Sequence, residues 1–301
     1  MNSAVQALPS GQDVAAAWED RSSKWQFALL ACLLAVLYGG VLAHLAAQWW
    51  RDPNFSHGFF VPAFSLYLLW DQRHTLARLR PHPDWTGLAL LLLGLVSLVV
   101  GILGAELFLS RVSIVPVLGG LIALFLGWGF LRAVAFPWLF LLLMIPLPVL
   151  VFNQITFPLQ ILASRIAADL LPLLGVPVLR EGNVIQLPAM ALEVAEACSG
   201  IRSLMSLATL AIMYGYVLEQ RLRMRALLAL AAIPIAVTAN SLRIVGTGLL
   251  VQYWDPDKAE GFFHTFSGWI IFVVSILLLF AVRRVLHWIL GRTPSVPDTA
   301  Q

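Results

Sequence analysis

Charge and cysteine are what this chain has least of. Only 12% of its 301 residues are charged and 60% are hydrophobic, whereas soluble domains carry about 25% charged residues. With a mean hydropathy of +0.85, that scarcity argues against an ordinary soluble enzyme and for a polytopic membrane protein. Two cysteines, Cys32 and Cys198, are too few for a disulfide framework. One Cys with one His is two ligands short of a tetrahedral metal site, so neither a metal nor a cofactor is expected. A net charge of +3 and a pI near 9.1 would suggest nucleic acid as the partner of a soluble chain. Here the basic residues fall in short loops between apolar runs, where they set membrane topology, and no nucleic-acid partner is expected. The first residues, about 24 in number, are polar, and the first apolar run is too long for a signal core, so no cleavable signal peptide is expected.

What is present is a series of long apolar runs. Windows of about 20 residues place spans near 25–47, 57–70, 86–107, 112–131, 134–152, 199–218, 226–250 and 265–287. The second is short enough to be tilted or re-entrant. The expected fold is an all-α polytopic membrane protein of about eight transmembrane helices. The expected organisation is a cytoplasmic tail over 1–24, one integral membrane domain over 25–290, and a second cytoplasmic tail over 291–301. Arg73, Arg78, Arg80, Arg132, Arg221, Arg223, Arg225, Arg283 and Arg284 all fall on one side of such a bundle. The positive-inside bias makes that side, and both termini, cytoplasmic. Residues 153–174 mix apolar residues at helical spacing with Gln154, Gln160, Arg165 and Asp169, which suits a helix in the outer interface. Residues 176–195 are β-branched and broken by Glu-Gly-Asn, and read as a small hairpin. Together they form an expected extracytoplasmic cap between spans five and six. An extended element there offers strand pairing to a peptide, or is simply a cap.

Three polar residues stand out against this background. Cys32, inside an apolar run, reads as a packing residue. Cys198, in "EACSGIRSL", begins span six at its outer end. It is an apolar filler, half of a metal site or disulfide, or a nucleophile whose thiolate a helix N-terminus favours. Arg243, in "VTANSLRIVGTGLLV", lies well inside span seven, where insertion of an arginine costs on the order of 2.5–3.5 kcal/mol. It either snorkels or faces a polar cavity with a partner, and Asn240 sits on the same helical face. His264, at the outer start of span eight, is an interfacial residue or a site residue. Topology alone brings the three to the outer half of one bundle. A thiol with an imidazole is the activated pair of cysteine acyl transfer, and a guanidinium supplies charge for an oxyanion. His44, His74, His82 and His287 read as structural.

With "EACSGIRSL", "ANSLRI" and "FHTFSGW" in this order, and "SHGFFVPAFSLYLLW" upstream, the chain resembles the exosortase/archaeosortase family over roughly residues 25–290. The resemblance implies a membrane cysteine transpeptidase-like sorting enzyme of the exosortase A type. Its implied partners are the lipid bilayer and exported proteins with a C-terminal Pro-Glu-Pro-like motif, a transmembrane helix and a basic cluster. Such a tail would be cut on the outer face of the bacterial inner membrane and the product released or passed to an envelope acceptor. The implied catalytic residues are Cys198 as nucleophile, His264 as general base and acid, and Arg243 on the oxyanion or a substrate carboxylate. Ser199, Gly200, Arg202, Asn240 and His57 are supporting or substrate-binding candidates. A transporter of an anionic solute using Arg243, or a scaffold without catalysis, is the rival expectation; in either, Cys198→Ala leaves function intact.

Overall fold

Inside hydrocarbon every backbone N–H and C=O must be paired within its own segment, which makes helix the default for such apolar runs. The structure is a computed structural model that describes residues 21–188, 190–193, 201–254 and 262–290. It is mostly helical. In chain order come α1 (Arg21–Arg51), a 3-10 helix (Pro53–Phe59), α2 (Phe60–Asp71), α3 (Arg73–Leu76), α4 (Gly87–Leu103), α5 (Leu107–Val112) and α6 (Ile114–Phe125). There follow α7 (Trp128–Ala133), α8 (Ala135–Phe140), a 3-10 turn (Leu141–Met144), α9 (Val149–Leu170), α10 (Ile201–Leu218), α11 (Leu222–Tyr253) and α12 (Phe262–Leu290). Among the described residues five helical stretches are long and apolar enough to cross a membrane: Ala28–Arg51, Leu107–Phe125, Val149–Leu174, Leu222–Tyr253 and Gly268–Ile289. Gly87–Leu103, Ala135–Met144 and Leu204–Leu218 are shorter apolar helices.

These elements correct several sequence boundaries. The window 112–131 is interrupted at Gly127, whose φ of +91° suits glycine, and where a Cβ would collide with the His82 carbonyl. The window 134–152 is cut by Pro146 and Pro148, which lack the N–H that a continuing helix needs. α9 therefore starts at Val149, earlier than the interfacial helix expected from 153, and reaches spanning length. Its exposed face carries Asn153, Gln154, Arg165 and Asp169, while Thr156, Gln160 and Ser164 are buried. The second window shrinks to the 12 residues of α2. Cys32 is exposed on α1 and fills no core.

The expected hairpin is present and is one strand larger. β1 (Leu179–Glu181) and β2 (Val184–Gln186) pair antiparallel around a tight turn at Gly182, whose φ is +64°. β3 (Ala191–Glu193) adds to the other edge of β2 in the order β1-β2-β3. Ile185, Leu187 and Leu192 pack with Ala163, Ala167 and Leu171 at the end of α9 and with Ile244, Val245 and Val251 of α11. The sheet is thereby seated against the second half of α11, the stretch that carries Arg243.

Candidate active site

The site's position follows from how α10, α11 and α12 keep in step. α10 and α11 form an antiparallel pair joined by a short turn at residues 219–221. Arg225 pins that turn: its Nε donates to the Glu219 carbonyl at 2.7 Å and its Nη2 to the Tyr216 carbonyl at 3.2 Å. Gly215 lies flat against Arg225, with room for a Cβ only 3.4 Å from the arginine Cα. From there the interface is built of Leu207, Ala211, Leu228, Ala232 and Ala236, all buried. Small residues let the backbones approach closely. Helices in antiparallel contact rise equally. Going back along α10 from Gly215 to Ile201 therefore matches going forward along α11 from Arg225 to about Ala239. The start of α10 arrives at the level of Asn240 and Arg243.

α12 packs on the same two helices, and its register is fixed at two points. Leu279 is fully buried within the α10–α11 cluster. Gly268 faces the Arg243 guanidinium, and a Cβ on it would stand 3.6 Å from Nη2 and 3.7 Å from Cζ. His264 precedes Gly268 by four residues in the same helix. Its backbone therefore lies one turn, about 5.4 Å, farther along the same face and near the level of Thr247.

Asn240 is 3% exposed, and its Nδ2 is buried without a hydrogen-bond acceptor among the described residues. Leaving such a donor unsatisfied costs about 1–3 kcal/mol. With Arg243 one turn on and Thr247 beyond it, Asn240 makes a polar stripe along the second half of the helix. The stripe can donate hydrogen bonds and carry a fixed positive charge, which is what a developing oxyanion or a carboxylate requires. Among the described residues there is no cluster of three or more His, Cys, Asp or Glu able to hold a metal.

The other expected site residues fare differently. Cys198, Ser199 and Gly200 lie outside the described residues, immediately before α10. Arg202 stands in the first turn of α10. His57 is 6% exposed in the 3-10 helix that packs between α1 and α10, with Phe55 in the core beside Trp49 and Met144. Its Nδ1 is buried without a hydrogen-bond partner among the described residues. Gly268 went unnoticed in the sequence as a site residue. Only its spacing, one turn after His264, marked it out.

Comparison with known families matches the chain to a model described as transmembrane exosortase over residues 49–281. Searches of curated proteins and of solved structures find no match. The matched stretch takes in the 3-10 helix, the sheet, α10, α11 and the Gly268 face of α12.

Proposed function

Because the chain belongs to the transmembrane exosortase family, whose members are membrane sorting enzymes acting on C-terminal sorting signals, we propose that it is a cysteine transpeptidase or protease centred on Cys198, Arg243 and His264. It would cut exported proteins near a Pro-Glu-Pro-like motif that precedes a transmembrane helix and a basic cluster. The observation that carries this reading is the packing of Arg243 on Gly268, one turn from His264, at the level where α10 begins three residues after Cys198.

In the proposed reaction the Cys198 thiolate attacks the scissile carbonyl, and its electron pair moves onto the carbonyl oxygen. Arg243 and the spare Asn240 N–H stabilise that oxyanion. The intermediate collapses to a thioester as the C–N bond breaks, and His264 delivers a proton to the departing amine. Water or an acceptor nucleophile, deprotonated by His264, then releases the new C-terminus and restores the thiol. Ser199, Gly200 and Arg202 remain the supporting candidates beside the nucleophile in sequence.

On this reading the chain crosses the inner membrane eight times with both termini cytoplasmic, and the chemistry takes place on the periplasmic face. The exposed Arg165 and Asp169 of α9 support its lying in the interface, since charges facing lipid are costly. The test is co-expression with a protein bearing such a tail, following tail loss by mass shift. Wild-type enzyme should remove the tail and Cys198→Ala should leave it intact; equal removal by both would end the cysteine mechanism.

A further inference from the structure

Away from the Arg243 site, α1, α4 and α5 enclose a cavity of about 380 Å³. Its polar end is made by His44, Ser110 and Arg111, and its flank by Val36, Val41 and Ile102. Val36 and Ile102 are exposed on the outer surface of the helices, so the cavity opens sideways to where lipid lies.

Arg111 is the unusual member. It is 6% exposed and lies within a stretch long and apolar enough to cross a membrane. Its Nη1 donates to Gln48 Oε1 at 2.7 Å, a neutral acceptor. Among the described residues no carboxylate stands within ion-pair distance of it. The nearest in sequence, Glu106, spends its Oε2 on the Leu109 N–H as a helix cap. A guanidinium has five donors, and this one keeps four beyond the Gln48 bond. A buried charge is costly unless it is closely paired; Glu106 attracts this one only through space, and a guanidinium fork matches the oxygens of a phosphate.

The depth agrees with a head group. Gln48 and Arg111 meet at the last turn of α1, next to Trp49 and Trp50. Trp50 is 83% exposed and stacks edge-on with Phe59, the kind of aromatic belt that marks the head-group level. His44 Nδ1 lies 2.8 Å from the Gly40 carbonyl. A carbonyl only accepts, so Nδ1 carries the proton and donates.

We propose that this cavity binds one phosphate-bearing lipid, its phosphodiester on the free face of the Arg111 guanidinium and an acyl chain along Val36, Val41 and Ile102. This site is independent of the Cys198 chemistry.

Gly40 lines the cavity, and a Cβ placed on it meets nothing within 4 Å. Gly40→Phe would therefore fill the space while leaving Arg111 and Gln48 in place. The experiment uses the delipidated full chain in neutral detergent, with ligand retention read by native mass spectrometry and Tm by thermal shift. The probes are phosphatidylglycerol, diacylglycerol with the same acyl chains, and inorganic phosphate. Phosphatidylglycerol should be retained and raise Tm, and both Arg111→Gln and Gly40→Phe should weaken its retention at least tenfold. Equal retention of diacylglycerol would show a merely apolar groove, and a Tm rise as large with inorganic phosphate would show a free-anion site. Either result, or unchanged retention in Gly40→Phe, overturns the proposal.

Discussion

Two arginines of α11 lie on glycines of the neighbouring helices, at opposite ends of the same three-helix group, and the polar groups beside them are provided for very differently. At the turn end Arg225 packs on Gly215, donates to two carbonyls, and stacks its guanidinium 4.5 Å from the Tyr216 ring centre. Tyr216 in turn lies face to face with Phe136 and accepts from Gln72. Beside it, Glu219 accepts from Arg283 Nε at 2.6 Å and lies 2.8 Å from His287 Nε2. Polar groups there have found one another. At the other end Arg243 packs on Gly268, but its neighbour Asn240 keeps a buried donor without an acceptor among the described residues. Saturated polar groups rigidify, whereas an unsatisfied one costs stability and persists where a ligand completes it.

The largest effect expected from breaking this contrast is on activity. Arg243→Gln should slow tail removal by roughly 10²–10³-fold, the usual cost of losing an oxyanion donor, with little change in Tm. Arg225→Gln should do the reverse, lowering Tm while processing per folded molecule stays near wild type. Rates measured at matched amounts of folded enzyme decide it. Equal losses of activity in the two variants would remove the functional distinction between the ends.

The glycines give a steric version of the same comparison. A Cβ at Gly268 or Gly215 makes only ordinary contacts, so alanine should be tolerated at both. Leucine should not be. Gly268→Leu would displace the Arg243 guanidinium and cut tail removal by about tenfold or more, whereas Gly215→Leu would part α10 from α11 and lower Tm. A thermal-shift series with parallel activity assays separates the two outcomes.

Glu219 sharpens the turn end. Burial by itself raises its carboxyl, but the hydrogen bonds from His287 and Arg283 prevail and hold its pKa below the ordinary 4.5. A carboxyl titrating lower in the folded state contributes stability above about 4.5 and loses it as the pH falls through the folded value. Glu219→Gln should lower stability by about 1–3 kcal/mol near neutral pH. The gap between the Tm of wild type and variant should close as the pH drops below about 4.5. A gap independent of pH would mean that the carboxylate's charge contributes nothing.

Much of the Arg243 end was legible in the sequence, because its relations are local. Asn240 and Arg243 are three residues apart on one helix, and helical spacing alone aligns them, whereas Gly268, four residues after His264, was not picked out. The Glu-Gly-Asn turn was equally plain, since Gly182 is at positive φ in the hairpin. The turn end was not legible. Glu219 looks like a stray acid in a basic loop, and its partners are 64 and 68 residues away. Arg283 and Arg225, read from sequence as topology signals, also hold side-chain networks. Helix breaks were missed for a different reason. Hydropathy averaged over a window does not register Gly127, or Pro146 and Pro148, because helix breakers in apolar company barely change the mean. And helices that are apolar all round give no periodicity from which to tell which face meets a neighbour.

The smallest effect concerns Asn240, where activity and stability should move in opposite directions. Replacing it with leucine removes a buried donor that lacks an acceptor and substitutes an apolar group of similar volume. Of the roughly 1–3 kcal/mol that the bare donor costs, part should return as a Tm higher than wild type. If the donor serves the oxyanion, kcat should fall with little change in KM, because an interaction made only in the transition state is lost. Asn240→Asp tests the sign of the charge at the same position: a carboxylate beside Arg243 would repel an oxyanion and should be slower than the leucine variant. An Asn240→Leu enzyme that is less stable and fully active would mean that the amide is a packing element after all. The contrast between the two ends of the three-helix group would then rest on Arg243 alone.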